Sequence, residues 1–226
     1  MGQLQLREKE IFEALKKIKA CQFAVIGGYA VNAYALPRFS VDCDIVVGDY
    51  TVSRKISLEL EKSGYSEVKL DKSLSYEGKF ARYEKQIDKD FKVSVDILIG
   101  EVFDRQTGCS FSSKWVFDNS GIRQLRGKTI AESLKLRIIR IDALIVMKLI
   151  CARLPDIRDV FMLMPTANDK EWIKEEISKR LDFGKAFHKI EAKITSAQFK
   201  NDLQGVFGYV DPVAFERYKK AVLSLK

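Results

Sequence analysis

The chain has 226 residues, of which 46% are hydrophobic, enough to build a folded core, so a disordered chain is excluded. Its 39 basic and 31 acidic residues give a formal charge of +8, which is spread along the sequence and not collected in a basic tail. Such a surplus indicates a surface that accepts polyanions, among them nucleotides, RNA and acidic partner proteins.

Helix and strand patterns alternate over the first half of the chain. Ile11, Leu15 and Ile18 recur at helical spacing and predict an amphipathic helix over roughly residues 5–19. The patterns that follow predict four further elements on the basis of apolar runs and their end signals. These are a buried strand "FAVI", a helix from Tyr29 to Leu36 ended by Pro37, a strand "DCDIVV", and a helix that begins at Thr51 as N-cap and ends before Gly64.

Two further strands are predicted at "KFARYEKQ" and "KVSVDILIG", and we expect Lys114–Phe117 and Leu136–Ile141 to extend the sheet. From Asp142 onward the pattern is helical. One helix carries Trp172, Ile173, Ile177 and Leu181, and a last one begins with Asp211 as N-cap and Pro212 at its first position. The expected fold is therefore α+β: a small mixed sheet with flanking helices over residues 1–140, then a helical domain over 141–226.

No segment predicts a membrane or secretory location. The longest apolar run, "ALIVMKLICA", has ten residues and contains Lys148, and the N-terminal "MGQLQLREKE" lacks the apolar stretch of a signal peptide. The four cysteines include no C-x-x-C pair, and three of them adjoin apolar residues, as buried thiols do in a reducing compartment. We therefore expect a soluble, cytoplasmic protein that does not contact a membrane.

A glycine pair, Gly27 and Gly28, stands where the first strand turns into a helix. Glycine permits positive φ and close backbone approach, and a helix start offers unpaired N–H groups to an anion. A glycine pair by itself is more typical of a tight turn with nothing bound. Both interpretations stay open on the glycines alone.

Three aspartates predict a metal site. Asp42 and Asp44 are two residues apart in a strand, so their carboxylates project from the same face. Asp96 lies in the middle of an alternating apolar strand, where an unpaired charge is costly, so it needs a partner. If that strand lies beside "DCDIVV", three carboxylates meet and can hold two divalent ions for phosphoryl transfer. A salt-bridged, structural Asp96 is the alternative.

The order of these motifs resembles the polymerase-β-like nucleotidyltransferase superfamily. The resemblance rests on Gly27-Gly28, on R-x-S-x-D-x-D formed by Arg38, Ser40, Asp42 and Asp44, and on the distant strand residue Asp96. Within the superfamily, the chain is most similar to the branch of AbiEii-type toxins and related prokaryotic nucleotidyltransferases. "MKLICARLPDIRD" resembles the later K…R…D…D motif of that branch, with Lys148, Arg153, Asp156 and Asp159 at its positions.

The resemblance implies a role for each matching residue. Asp42 and Asp44 would bind two Mg²⁺ or Mn²⁺ ions, and Asp96 would complete one metal site and help to deprotonate the incoming hydroxyl. Gly27 and Gly28 would hold the triphosphate of an NTP. Arg38 and Ser40, beside the D-x-D strand, would contribute to nucleotide binding. Lys148 would be a phosphate contact or a side chain that extends to the surface. The roles of Arg153, Asp156 and Asp159 in the later motif stay open.

The resemblance implies transfer of a nucleoside monophosphate from an NTP to an acceptor hydroxyl, with release of pyrophosphate. The acceptor implied is RNA, tRNA or a protein, and the toxin-like branch adds an antitoxin protein as a partner. Two alternatives remain from the sequence: a small-molecule acceptor, as in antibiotic-modifying enzymes, and a catalytically silent module that binds a partner.

Overall fold

The computed structural model describes residues 2–70 and 79–226, and the chain divides into two compact units. The first, here called the sheet unit, comprises Met1–Ala33, Phe39–Val102 and Ser110–Ile139. The second, the helical unit, comprises Tyr34–Arg38, Phe103–Cys109 and Arg140–Lys226. The helical unit therefore includes two short segments from the N-terminal half of the chain. No sequence pattern predicted that these segments belong to it.

The sheet unit is built on a seven-stranded mixed sheet. Its strands are β1 (Phe23–Val25), β2 (Asp42–Val47), β3 (Ser66–Glu67), β4 (Phe80–Asp88), β5 (Phe91–Ile99), β8 (Ser120–Arg126) and β9 (Ser133–Ile139), and a separate two-stranded sheet contains β6 (Glu101–Phe103) and β7 (Ser110–Ser112). The order across the large sheet is β3-β4-β5-β2-β1-β9-β8. The pairs β2–β5 and β1–β9 are parallel, and the other pairs are antiparallel.

The described part of the sheet unit has the helices α1 (Gln3–Ile18), α2 (Gly27–Val31), α3 (Tyr50–Lys62) and α4 (Ser113–Asp118). The apolar stripe of α1 is fully buried, since Ile11, Leu15 and Ile18 are each 0% exposed. This stripe and the apolar residues of β5 form the core of the unit, because α1 packs against both β5 and α3. The predicted α+β class with a mixed sheet and flanking helices is confirmed.

Three predicted elements of the sheet unit were wrong in part. The helix predicted to reach Leu36 ends at Val31, and the segment Tyr34–Arg38 belongs to the helical unit. The cap of α3 is Asp49 and not Thr51, and its side chain accepts a hydrogen bond from the Val52 N–H at 2.9 Å.

The segment Lys114–Phe117 is helical, not a strand. The hydroxyl of Ser112 accepts a hydrogen bond from the Trp115 N–H at 3.1 Å and thereby begins α4. A serine cap supplies an acceptor to a helix start, and this outweighs the β propensity of the aromatic and branched residues that follow. The sheet is extended by β9 (Ser133–Ile139), which confirms most of the strand expected at Leu136–Ile141, and by β8, which the sequence did not predict.

The helical unit contains α5 (Ile141–Cys151), α6 (Leu154–Leu163), α7 (Lys170–Ser178), α8 (Phe183–Ile194), α9 (Phe199–Phe207) and α10 (Pro212–Leu223), with a short 3₁₀ turn at Met164–Thr166. Its centre is an aromatic cluster in which the ring centroid of Phe161 lies 5.1 Å from those of Phe199 and Phe215. The predicted start of α10 is confirmed: the Asp211 side chain accepts from the Ala214 N–H at 2.9 Å, and Pro212 is the first helical residue. Across residues 2–70 and 79–226, the helices are all too short or too polar to cross a membrane.

One buried carboxylate joins α1 to the connection between β8 and β9. Glu8 is 2% exposed, and its carboxylate accepts hydrogen bonds from the backbone N–H groups of Thr129 and Ile130, at 2.7 and 3.2 Å. It also accepts from the Lys128 N–H at 2.5 Å and from the Thr129 hydroxyl at 2.7 Å. Several backbone donors of the connection therefore depend on one side chain of α1.

Glu8→Gln is expected to lower the free energy of unfolding by about 2–3 kcal/mol, because an amide has fewer acceptor sites and turns an NH₂ donor toward N–H groups. Urea denaturation of the full chain measures the change. Glu13→Gln on the same helix is the matched control: its side chain is 45% exposed and pairs with Lys16, and a loss of less than about 1 kcal/mol is expected. Equal losses in the two variants would contradict the structural role of Glu8.

Candidate active site

The three predicted aspartates lie on one face of two adjacent strands. In the parallel pair β2–β5, Asp44 is directly opposite Asp96, and Asp42 is directly opposite Ser94. Residues opposite each other in neighbouring strands share a face, as do residues two apart in one strand. The prediction that the strand of Asp96 lies beside "DCDIVV" is confirmed, and it brings all three carboxylates to the same side of the sheet.

An arginine on the next strand pairs with Asp96. Arg82 of β4 is directly opposite Asp96 in the antiparallel pair β4–β5. Its Nε and Nη2 donate to the two carboxylate oxygens of Asp96 at 2.8 and 2.7 Å, and Nη2 lies 3.5 Å from Oδ2 of Asp42. The guanidinium therefore bridges two of the three carboxylates and is bidentate on one of them.

Burial and pairing act in opposite directions on Asp96. The side chain is 6% exposed, and burial raises the pKa of its carboxyl group, while the hydrogen bonds and charge of Arg82 oppose this shift. Asp42 and Glu84, which carry like charges, raise the pKa of Asp96 further. The same hydrogen bonds to Asp96 raise the pKa of Arg82. The ion pair thus stabilises a carboxylate that burial would otherwise disfavour.

Asp42 is more accessible than Asp96. Its side chain is 33% exposed, and its Oδ1 accepts a hydrogen bond from the Ser94 hydroxyl at 2.5 Å. Ser94 is two residues from Asp96 in β5 and so shares its face, but the sequence predicted no role for Ser94 and none for Arg82. Alternation in "KFARYEKQ" could have put Arg82 on one face of a strand. Its position opposite Asp96 depends on the register of β4 with β5, which the sequence does not show.

Gly27 has a structural reason to be glycine. Its φ of +63° favours glycine, and a Cβ placed on it would lie 2.0 Å from Oδ2 of Asp44. The turn from β1 into α2 therefore leaves room for the Asp44 carboxylate. Gly28 is buried within α2, and the triphosphate contacts expected of both glycines stay a prediction.

Arg38 and Lys148 belong to the helical unit, where both pair with Asp159. Arg38 donates through Nε and Nη2 to the two oxygens of Asp159, at 2.6 and 2.5 Å. Lys148 Nζ lies 2.7 Å from Oδ2 of Asp159 and 3.1 Å from Oδ1 of Asp156. Asp159 is 0% exposed and Lys148 is 5% exposed, so the interpretation in which Lys148 extends to the surface was wrong.

The charges of this cluster compensate one another. Burial acts to lower the pKa of Lys148, but its attraction to Asp159 and Asp156 outweighs burial, so the pKa lies above its ordinary value and the amine is charged. Arg153, from the same motif, pairs with Asp104, with 2.5 Å between Nη2 and Oδ1. The charged residues of the K…R…D…D motif therefore all form ion pairs. A phosphate contact of Lys148 or Arg38 stays a prediction.

The predicted site residues thus fall into two sets: Gly27, Gly28, Ser40, Asp42, Asp44 and Asp96 in the sheet unit, and Arg38 and Lys148 in the helical unit. Ser40 is half-buried in the chain that leads into β2, and its part in nucleotide binding also stays a prediction.

The carboxylates fit a divalent ion in part. Within residues 2–70 and 79–226, no group of three or more His, Cys, Asp or Glu side chains is arranged to hold a metal. Asp96 already has a guanidinium on both of its oxygens. Asp42 and Asp44 supply two carboxylates on one strand face, and Mg²⁺ in proteins commonly takes one or two carboxylates together with water and substrate phosphates.

Comparison with known proteins gives a likeness to solved structures and none to a known sequence family. Neither the protein-family models nor the curated proteins searched give a match to this sequence. Among solved structures, the chain is similar to the STING-associated CdnE c-di-GMP synthase from Capnocytophaga granulosa, with 11% sequence identity and a TM-score of 0.29. The likeness covers 98% of this chain and 80% of that one.

Gly27→Ala is expected to lower the free energy of unfolding by about 1–3 kcal/mol, because alanine is strained at this φ and its methyl group must displace the Asp44 carboxylate. Urea or thermal denaturation measures the loss. Gly48→Ala, just after β2, is the control, since a Cβ there would have no heavy atom within 4 Å. If Gly27→Ala is as stable as Gly48→Ala, the close approach of Asp44 to Gly27 is wrong.

Proposed function

We propose that the chain is a nucleotidyltransferase that moves a nucleoside monophosphate from an NTP to an acceptor hydroxyl. The observation that carries the proposal is the row of Asp42, Asp44 and Asp96 on one face of β2 and β5. The order of the sequence motifs, with Gly27-Gly28 ahead of R-x-S-x-D-x-D, supports it. Paired strand carboxylates beside a glycine turn suit a triphosphate and its counter-ion.

In the proposed reaction the acceptor oxygen attacks the α-phosphorus, the bond from that phosphorus to the oxygen bridging to the β-phosphate breaks, and pyrophosphate leaves. The hydroxyl proton passes to a carboxylate or to water. The resemblance gives this role to Asp96, whose carboxylate would have to accept the proton beside the two hydrogen bonds from Arg82. A divalent ion, Mg²⁺ or Mn²⁺, held by Asp42 and Asp44 would supply charge neutralisation at the phosphates. The chain itself positions the reacting groups, because it holds the carboxylates on a sheet and leaves space beside Gly27.

RNA is the acceptor class that the sheet unit favours. The strand pair β8–β9 presents Arg126, Lys135 and Arg137 on one face, because Gln124 is opposite Lys135, Ile122 is opposite Arg137 and Arg126 is opposite Ser133. Here this set is called the basic face. Within the described residues, Arg126 and Lys135 form no ion pair. Unpaired basic side chains on a strand pair suit the phosphates of a polyanion.

The basic face lies on the same side of the sheet as the carboxylates. Val25 of β1 is opposite Ile45 of β2 and opposite Ile138 of β9. These three side chains therefore share one face, and their strand neighbours Asp44 and Arg137 share the other. An RNA bound along β8–β9 would lie on the face that carries the carboxylates, which favours RNA over a protein or small-molecule acceptor.

A catalytically silent binding module is the second candidate. The ion pair of Arg82 with Asp96 favours it, because a paired, buried carboxylate has a structural explanation without chemistry. A toxin-like role and an antitoxin partner rest on the resemblance to the AbiEii-type branch alone.

The transfer assay uses each of the four α-labelled NTPs with Mg²⁺ or Mn²⁺ and total cellular RNA. We expect label in RNA, reduced at least about 100-fold in Asp42→Asn and in Asp44→Asn, because each change removes a charge that positions the phosphates and their counter-ion. Asp118→Asn, whose side chain is 58% exposed, is the control and should keep full transfer. Full turnover in Asp44→Asn, with its folding verified by thermal denaturation, would contradict the site. No label and no NTP binding would favour the silent module.

The basic face is tested by RNA affinity at several salt concentrations. For Arg126→Gln/Lys135→Gln we expect the slope of log K against log[salt] to fall in magnitude by about 1–1.5. The double variant makes fewer contacts with RNA phosphates, so RNA binding releases fewer counterions. Lys185→Gln/Lys189→Gln, with two exposed lysines of α8, removes the same charge elsewhere and should leave the slope unchanged. Equal slopes in both double variants would contradict this face as the RNA surface.

A further inference from the structure

The ion pair between Arg82 and Asp96 bears on how many metal ions the proposed site can take. Arg82 satisfies both oxygens of Asp96 with parallel N–H donors, the bidentate geometry that gives strong, charge-assisted hydrogen bonds. The side chain of Asp96 is 6% exposed and that of Arg82 is 33% exposed. Separating the two would leave a buried carboxylate without a counter-ion, which is strongly unfavourable.

The same guanidinium reaches a second carboxylate. Its Nη2 lies 3.5 Å from Oδ2 of Asp42 and 2.7 Å from Oδ2 of Asp96, so it lies between them as a cation bound to both would. Glu84, a further acidic residue on this face and opposite Ser94, is paired with Lys92 at 3.0 Å. Arg82 is therefore the cation held against Asp96 and, at a longer distance, against Asp42.

We propose that Arg82 is a built-in counter-cation that holds Asp96, so that this site binds one divalent ion, at Asp42 and Asp44, and not two. Arg82 is thereby a positioning residue: it takes the place at Asp96 that a second ion would need. A second ion could bind Asp96 only by displacing both hydrogen bonds of Arg82. The inference rests on the proposed function, since it assumes a metal-binding nucleotidyl transfer site.

The test counts Mn²⁺ ions bound to the full chain without nucleotide, from the loss of the free Mn²⁺ signal in electron paramagnetic resonance. We expect one ion per chain in the wild type and two in Arg82→Gln, where Asp96 is released. Arg82→Lys keeps the positive charge and should bind one. Lys85→Gln is the matched control, because Lys85 lies on the same strand but pairs with Glu10 at 2.7 Å; it should also bind one.

A second readout keeps the test decisive if Arg82→Gln folds poorly. Asp96→Asn should still bind one ion per chain, because Asp96 is not a ligand, whereas Asp42→Asn should lose the ion. In addition, Mn²⁺ should raise the unfolding temperature of Arg82→Gln by more than that of the wild type, since the second ion replaces the lost counter-cation.

The outcomes separate this inference from the proposed function. Two ions in the wild type, or loss of the ion in Asp96→Asn, would overturn the role of Arg82 and leave metal-dependent transfer intact. Equal stoichiometry in the wild type and in folded Arg82→Gln would also overturn it. No Mn²⁺ bound by any of the chains would overturn both the inference and the metal dependence of the proposed function.

Discussion

The parallel pairing of β2 with β5 is the constraint on which the rest of the candidate site depends. It sets Asp44 opposite Asp96 and Asp42 opposite Ser94, so three carboxylates separated by up to 54 positions in the chain come to one sheet face. Parallel pairing requires a long connection between the two strands, and α3, β3 and β4 lie within it. A slip of one residue in this register would turn Asp96 to the apolar face.

Burying acidic side chains has an electrostatic cost, and in both units an arginine offsets that cost by pairing with the buried carboxylate. In the sheet unit, Arg82 binds both oxygens of Asp96; in the helical unit, Arg38 does the same for Asp159. Both carboxylates are almost fully buried, and in both the planar guanidinium supplies two donors where an amine supplies a point charge. Lys148 adds that point charge at Asp159. A bidentate arginine thus stabilises both the candidate catalytic residue Asp96 and the motif residue Asp159 in α6.

The sequence predicted best where local pattern and burial agree. Alternation in β2 and β5 identified both strands and the face that their aspartates share, and the Asp211 cap located the start of α10. It failed where a single polar contact decides between helix and strand, as at Ser112, which begins α4 where a strand was expected. It failed again at β8, whose short and mostly polar sequence becomes a strand only because β9 pairs with it.

The sequence by itself determined which residues are acidic, basic or glycine, and how they alternate along each strand, because these depend only on the local chain. It therefore identified the candidate aspartates and the glycine turn. Only the tertiary structure decided their partners: Arg82 on Asp96, Asp44 beside Gly27, and the basic face on the side of the carboxylates. Strand register and the packing of distant segments fix those contacts, and no local pattern encodes which strand will lie next to which.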